Sequence, residues 1–123
     1  MKGVLFVGWS APYPGLERRA IATFGEFVEA LADLQTKGEI ERFESVMLPS
    51  YGGELEGFVL VYGEREKIEA LPRTELLHRL EVRARSEHPM LIVLPAIADA
   101  LVVQELALHE EVAEEVEREL VPA

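Results

Sequence analysis

The spacing of apolar residues divides the chain into segments of two periods. From Lys2 to Trp9, Val4 and Phe6 alternate with Leu5, Val7 and Trp9, which predicts a strand with apolar side chains on both faces. Pro12-Tyr13-Pro14-Gly15 breaks it. From Leu16 to Leu34 the period changes: Leu16, Ala20, Phe24, Phe27, Leu31 and Leu34, flanked by Ile21 and Val28, recur every three or four residues, the pattern of an amphipathic helix with Gly38 as its left-handed stop. Ile40 to Leu48 mixes apolar residues with Glu41, Arg42, Glu44 and Ser45, which suits an edge strand. Pro49 to Gly53 supplies a turn, and Leu55 to Tyr62 then sets Leu55, Val59 and Val61 against Phe58, Leu60 and Tyr62.

Gly63 ends that strand. A helical turn is expected over Glu66 to Leu71, and Pro72 with Thr74 opens a second helix to about Ser86, with Leu76, Leu80 and Ala84 as its stripe. After His88-Pro89, Met90 to Leu94 is a short apolar strand. Asp99 is placed to cap a terminal helix running through Leu120.

The resulting order, β-α-β-β-α-β plus a helix, with right-handed crossovers, gives an antiparallel sheet of strand order 4-1-3-2. The expected fold is therefore α+β and ferredoxin-like, a single domain over 1–123, with a core at 1–98 and a C-terminal helix at 99–123. Two helices cover one face of such a sheet, yet strands one, three and four are apolar on both. Two copies packed sheet to sheet would bury the second face, which is the dimeric α/β-barrel arrangement. A homodimer or higher even oligomer is the expected partner relationship. The alternative is a terminal helix folded back over the open face of its own chain.

The stretches Phe6-Val7-Gly8-Trp9, Gly38-Glu39-Ile40-Glu41-Arg42-Phe43-Glu44, and Gly52-Gly53 through Gly57-Phe58 to Gly63-Glu64-Arg65-Glu66-Lys67 resemble a family of small uncharacterised bacterial proteins of dimeric α/β-barrel type. The resemblance covers nearly the whole chain to about Pro95. More distantly the layout is similar to YCII-related proteins and to cofactor-free monooxygenases of the same fold. The resemblance implies the fold and carries no catalytic residue onto this sequence.

Composition narrows the function. There are 123 residues, 49% of them apolar, enough for a core without a disulfide or structural metal. There is no cysteine, which removes thiol nucleophiles and thiolate zinc and points to a reducing, cytoplasmic setting. No window has the roughly 20 apolar residues of a membrane span, and Met1-Lys2-Gly3-Val4 enters a strand, so neither a membrane association nor a signal peptide is expected. A net charge of -11 opposes a nucleic-acid backbone. Absent asparagine and plentiful Glu, Arg and Pro give a thermophile-like composition.

Most candidate chemistry reduces to packing or solvation. No phosphate loop exists, and Gly52, Gly53 and Gly57 are turn and packing glycines. No His-Glu-x-x-His or close histidine pair occurs, so neither a metal nor a cofactor is expected. His78 falls on a solvated helix flank. His109 lies within the seam Val102, Leu106, His109, Ala113, Val116 and Leu120, where a buried, hydrogen-bonded histidine is expected. Glu110 to Glu119 form a solvated face, and Ser10, Ser45, Ser50 and Ser86 lack a nucleophile elbow.

One constellation remains. The topology gathers Trp9, Ser10, Tyr13, Tyr51, Glu54 and His88 at one edge of the sheet, where aromatics and one imidazole beside an apolar sheet suit a small organic ligand. The expected ligand-binding residues are Trp9, Ser10, Tyr13, Tyr51 and His88. The expected role is binding of a small molecule or another protein without chemistry. The alternative is a cofactor-free enzyme, monooxygenase- or isomerase-like, acting on a small aromatic or carbonyl compound with His88 as general base.

Overall fold

Every second residue of the first strand turns toward the helices, and that alternation organises the molecule. The computed structural model describes residues 1–121; Pro122 and Ala123, the end of the segment expected over 99–123, lie outside the described residues. In order, the elements are β1 (Lys2–Ser10), α1 (Glu17–Thr36), β2 (Arg42–Met47), β3 (Leu55–Glu64), α2 (Arg65–Ala70), a 3-10 turn at Leu71–Arg73, α3 (Glu75–Glu87), β4 (Leu91–Ala96) and α4 (Ala100–Leu120). The strands form one sheet in the order β2-β3-β1-β4, each neighbouring pair antiparallel. This is the ferredoxin-like arrangement, the expected order read from the opposite edge.

The helix-facing set of β1 is Leu5, Val7 and Trp9. It shares a core with Val59 and Val61 of β3, Leu31 of α1, Ile40, Ile68 of α2, and Leu77 and Leu80 of α3. Leu31, Val59, Val61 and Ile68 are fully enclosed. Gly38, at φ +77°, takes the left-handed conformation that ends α1, and the chain turns there into Ile40 and the edge strand.

Three local expectations meet a different geometry. The buried stripe of α3 is Leu77, Leu80 and Glu87, with Leu76 turned to solvent, because the helix begins at Glu75 and packs on α1 through the 77–80–84–87 row. Thr74 holds the N-cap position, but its hydroxyl donates to the Leu71 carbonyl at 2.7 Å. Asp99 precedes α4 at φ +54°, and its carbonyl, not its side chain, accepts from Val102 N–H.

The opposite face of the sheet has no helix on it. Val4 and Phe6 of β1, Phe58, Leu60 and Tyr62 of β3, and Ile92 and Leu94 of β4 share this face by register. The rings of Phe6 and Phe58 stack with centroids 5.5 Å apart, and Arg42 of β2 lies over the Tyr62 ring at 3.7 Å. Of the two β3 sets, Val59 and Val61 are spent on the core, so Phe58, Leu60 and Tyr62 are the ones left uncovered.

α4 does not fold back over that face. None of its side chains is buried, so its apolar residues Val102, Leu106, Val116 and Leu120 remain exposed. His109, expected inside a buried seam, is 70% exposed at the side chain and, among the described residues, has Glu105 Oε1 as its one polar partner, one turn earlier at 3.2 Å. The reason is direct: among the described residues no other element packs on the helix closely enough to enclose it.

Candidate functional site

Met47, Gly57, Trp9 and Leu91 stand side by side across the four strands. Here the chain leaves β1, turns between β2 and β3, and enters β4, so three connections converge on one end of the sheet. A bulge marks the spot. Trp9 opposes Gly57 and Ser10 opposes Leu55, leaving Glu56 without a partner across the ladder.

Trp9 is 8% exposed and points to the helix side, its ring 5.2 Å from that of Phe24 of α1. Gly57 makes room for it: a Cβ there would lie 2.7 Å from the Val46 carbonyl oxygen and 2.8 Å from Trp9 Cζ2. Beside Trp9 the core is incomplete. A cavity of about 410 Å³ opens between the sheet and the two main helices. Leu5, Val7, Trp9, Leu91 and Val93 form its floor; Ala20, Thr23, Phe24 and Phe27 of α1, with Leu77, Leu80 and Ala84 of α3, form its walls. His88, Pro12, Glu17 and Glu56 also line it, and the exposed Ile21 and Met47 mark its rim. The volume falls in the range of small-molecule sites, and the lining is mostly apolar, as such sites require.

His88 is fixed in this wall. Its Nδ1 is 2.7 Å from the Ser10 carbonyl oxygen. A carbonyl only accepts, so Nδ1 carries the proton and, in the neutral ring, Nε2 keeps the lone pair. Ser10 serves the backbone: its hydroxyl accepts from Met90 N–H at 3.0 Å and sits 3.3 Å from the Met90 carbonyl, joining β1 to the entry of β4. Thus Trp9 and His88 line one cavity, and Ser10 positions His88 from behind. Tyr13 is 43% exposed and tied nearby through its backbone N–H to the Glu87 carbonyl at 2.8 Å. Tyr51, 57% exposed, turns back on its own loop, its hydroxyl accepting from Leu55 N–H at 3.2 Å; neither tyrosine is a lining residue.

Two features went unread in the sequence. The hollow between α1 and α3 exists because Ala20 and Ala84 are small where the helices approach the sheet. Glu87 is 3% exposed, with Oε2 2.8 Å from the Thr23 hydroxyl and Oε1 buried without a hydrogen-bond partner among the described residues. Its signal was a charged residue at a core-spaced position, three residues after Ala84.

Among the described residues no group of three or more His, Asp or Glu is placed to hold a metal ion. No described helix is long and apolar enough to cross a membrane.

No family model matches the chain, and no curated protein matches it in sequence. Solved structures that share its fold include two bacterial proteins. A dimeric protein of unknown function and ferredoxin-like fold from Bacteroides fragilis NCTC 9343 superposes with a TM-score of 0.56 at 9% identity, covering 78% of this chain and 96% of that one. An ethyl tert-butyl ether D (EthD) family protein from Bacillus halodurans C-125 superposes with a TM-score of 0.56 at 12% identity, covering 80% and 100%. At such identities the likeness establishes the fold alone.

Proposed function

We propose that this chain is a self-associating small-molecule-binding domain, with the ligand held in the cavity walled by Trp9, Phe24, Phe27 and His88. The observation that carries this reading is the cavity itself: about 410 Å³ of mostly apolar space beside the only tryptophan. A domain of this size closes its core when packing is the sole demand, because voids in a packed interior destabilise it. Pro12, which lines the cavity, and Pro14 and Pro89 stiffen the loops at that end. Of the expected set Trp9, Ser10, Tyr13, Tyr51 and His88, Trp9 and His88 serve as walls and Ser10 as the support of His88. Tyr13 and Tyr51 lie on the connections at the same end of the sheet, outside the lining.

Self-association uses the uncovered sheet face, through Phe58, Leu60 and Tyr62, in the dimeric α/β-barrel manner, with residues 1–98 as the body and the helix after Asp99 as an added arm. The apolar character of that face supports this, as does the description of the Bacteroides fragilis neighbour as dimeric. The absence of cysteine supports a reducing, cytoplasmic setting, and the charge of -11 supports a role apart from nucleic acid. Native mass spectrometry of protein purified from its own source tests both parts together. It should report an even number of subunits and a retained organic molecule; a bare monomer would refute the reading.

One observation favours the second reading, a cofactor-free enzyme acting on a small aromatic or carbonyl compound. The Ser10 carbonyl holds His88 in the tautomer that leaves Nε2 as a base. Deuterium exchange into a carbonyl compound at the carbon beside the carbonyl, present in the native chain and abolished by His88→Gln, would select this reading over binding alone.

A further inference from the structure

We infer that the cavity selects organic cations, an ammonium head on an aromatic or alkyl body, over neutral and anionic molecules of the same shape. This rests on the reading of the cavity as a ligand site. Three features, two in the wall and one behind it, agree. The first is aromatic: Trp9, Phe24 and Phe27 all line the space, and ring faces attract a desolvated cation. The second is charge. Glu17, Glu56 and Glu81 line it and no Lys or Arg does. Glu81 is engaged by Arg85 at 3.1 Å, whereas Glu17 and Glu56 have no ion-pair partner within 4.0 Å among the described residues. A carboxylate ligand would therefore enter against like charge with no cation to receive it.

The third feature is Glu87. It is 3% exposed, and no cation lies within ion-pair distance of it among the described residues. Its Oε1 is sealed from solvent and unpartnered, and its link to the cavity is Thr23, which lines it. The Thr23 hydroxyl donates to Glu87 Oε2 at 2.8 Å, which leaves its lone pairs as acceptors for a donor in the cavity that Thr23 lines. A cation bound beside Thr23 would supply the counter-charge that Glu87 lacks and offset the penalty of burying its carboxyl group.

Three probes with one body separate the possibilities: 2-phenylethylamine, charged at pH 7, 2-phenylethanol and 3-phenylpropanoate, each titrated calorimetrically against the full chain and followed by Trp9 emission. The amine should bind about tenfold more tightly than the alcohol, the scale of one cation–π contact with added charge attraction, and the propanoate most weakly. Glu87→Gln should bring the amine to within about threefold of the alcohol while the alcohol itself is unmoved, and Glu17→Gln should reduce the preference without touching the buried site. An alcohol equal to or tighter than the amine, or a propanoate tightest of the three, overturns the cation assignment and leaves the cavity as a ligand site. Failure of all three to bind overturns the cavity reading, and the cation assignment with it.

Discussion

The imidazole of His88 is hydrogen bonded to the carbonyl of Ser10, 78 residues earlier in the chain, at 2.7 Å. One contact thus ties the end of β1 to the turn before β4 and sets one wall of the cavity. His88→Ala removes the donor from a partly buried carbonyl and should destabilise the chain by about 1 kcal/mol. The check is the urea midpoint, expected to fall with the slope of the transition unchanged; an unmoved midpoint would show that water replaces the contact without loss.

Ala84 lines the cavity from α3, at a half-buried position where a larger side chain has space to enter. Ala84→Leu should stabilise the fold by about 1 kcal/mol, as cavity-filling changes do. It should also weaken binding of any molecule that uses the site. Destabilisation by overpacking, read in the same thermal melt, would mean that the volume is too finely divided to hold a side chain or a ligand.

Gly57 faces the Val46 carbonyl and the Trp9 ring at distances where no Cβ fits. The nearer obstacle is backbone, which cannot rotate away. Gly57→Ala should therefore cost about 1–3 kcal/mol and shift Trp9 emission as the indole is displaced. Stability and emission both at wild-type values would show that β2 moves aside freely at the hairpin end.

Leu60 sits at the centre of the uncovered sheet face, opposite Phe6 on β1 and Glu44 on β2. Leu60→Asp places a charge where a second copy would pack, and a buried unpaired charge is among the most disruptive changes an interface can receive. Sedimentation equilibrium should show the proposed wild-type association reduced to monomer while near-ultraviolet circular dichroism persists. A wild-type chain that is already monomeric at the lowest usable concentration defeats the interface.

Removal of the chain after Asp99 tests α4. Because no α4 side chain is buried, the truncated domain should melt at the same temperature as an isolated wild-type monomer. What it should weaken is assembly, to which the exposed Val102, Leu106, Val116 and Leu120 add apolar surface beside the sheet face. A truncated chain with the full-length subunit number would make the helix dispensable to association.

Much of the fold is legible in the chain's own pattern, because its breaks are sharp and its periods distinct. Pro12 to Gly15, Gly38 and Pro49 to Gly53 separate runs whose spacing differs, and with right-handed crossovers those runs admit few strand orders. The stripe of α3 was harder for a physical reason. Leu76 and Leu77 are both one turn from Leu80, and the row through Leu77 includes Glu87, a residue that composition assigns to solvent. The site divides the same way. Trp9 and His88 could be brought together by topology alone, since strand ends and connections follow from strand order. The space between them could not, because a cavity is what Ala20 and Ala84 fail to fill, and Phe24 and Phe27 read as core in any helical pattern. Nor does spacing show that Tyr51 closes on the Leu55 amide or that α4 finds no surface in its own chain.

The unpartnered terminal helix also governs how the molecule moves through a solvent. A helix of 21 residues is about 30 Å long, more than twice the radius of gyration of about 13 Å expected for a compact body the size of residues 1–98. A single copy should therefore tumble and diffuse as an elongated particle, and on a sizing column it should elute ahead of a sphere of equal mass. Two copies joined through their sheet faces double the mass around one compact centre, so pairing raises the molecular weight by more than it raises the drag.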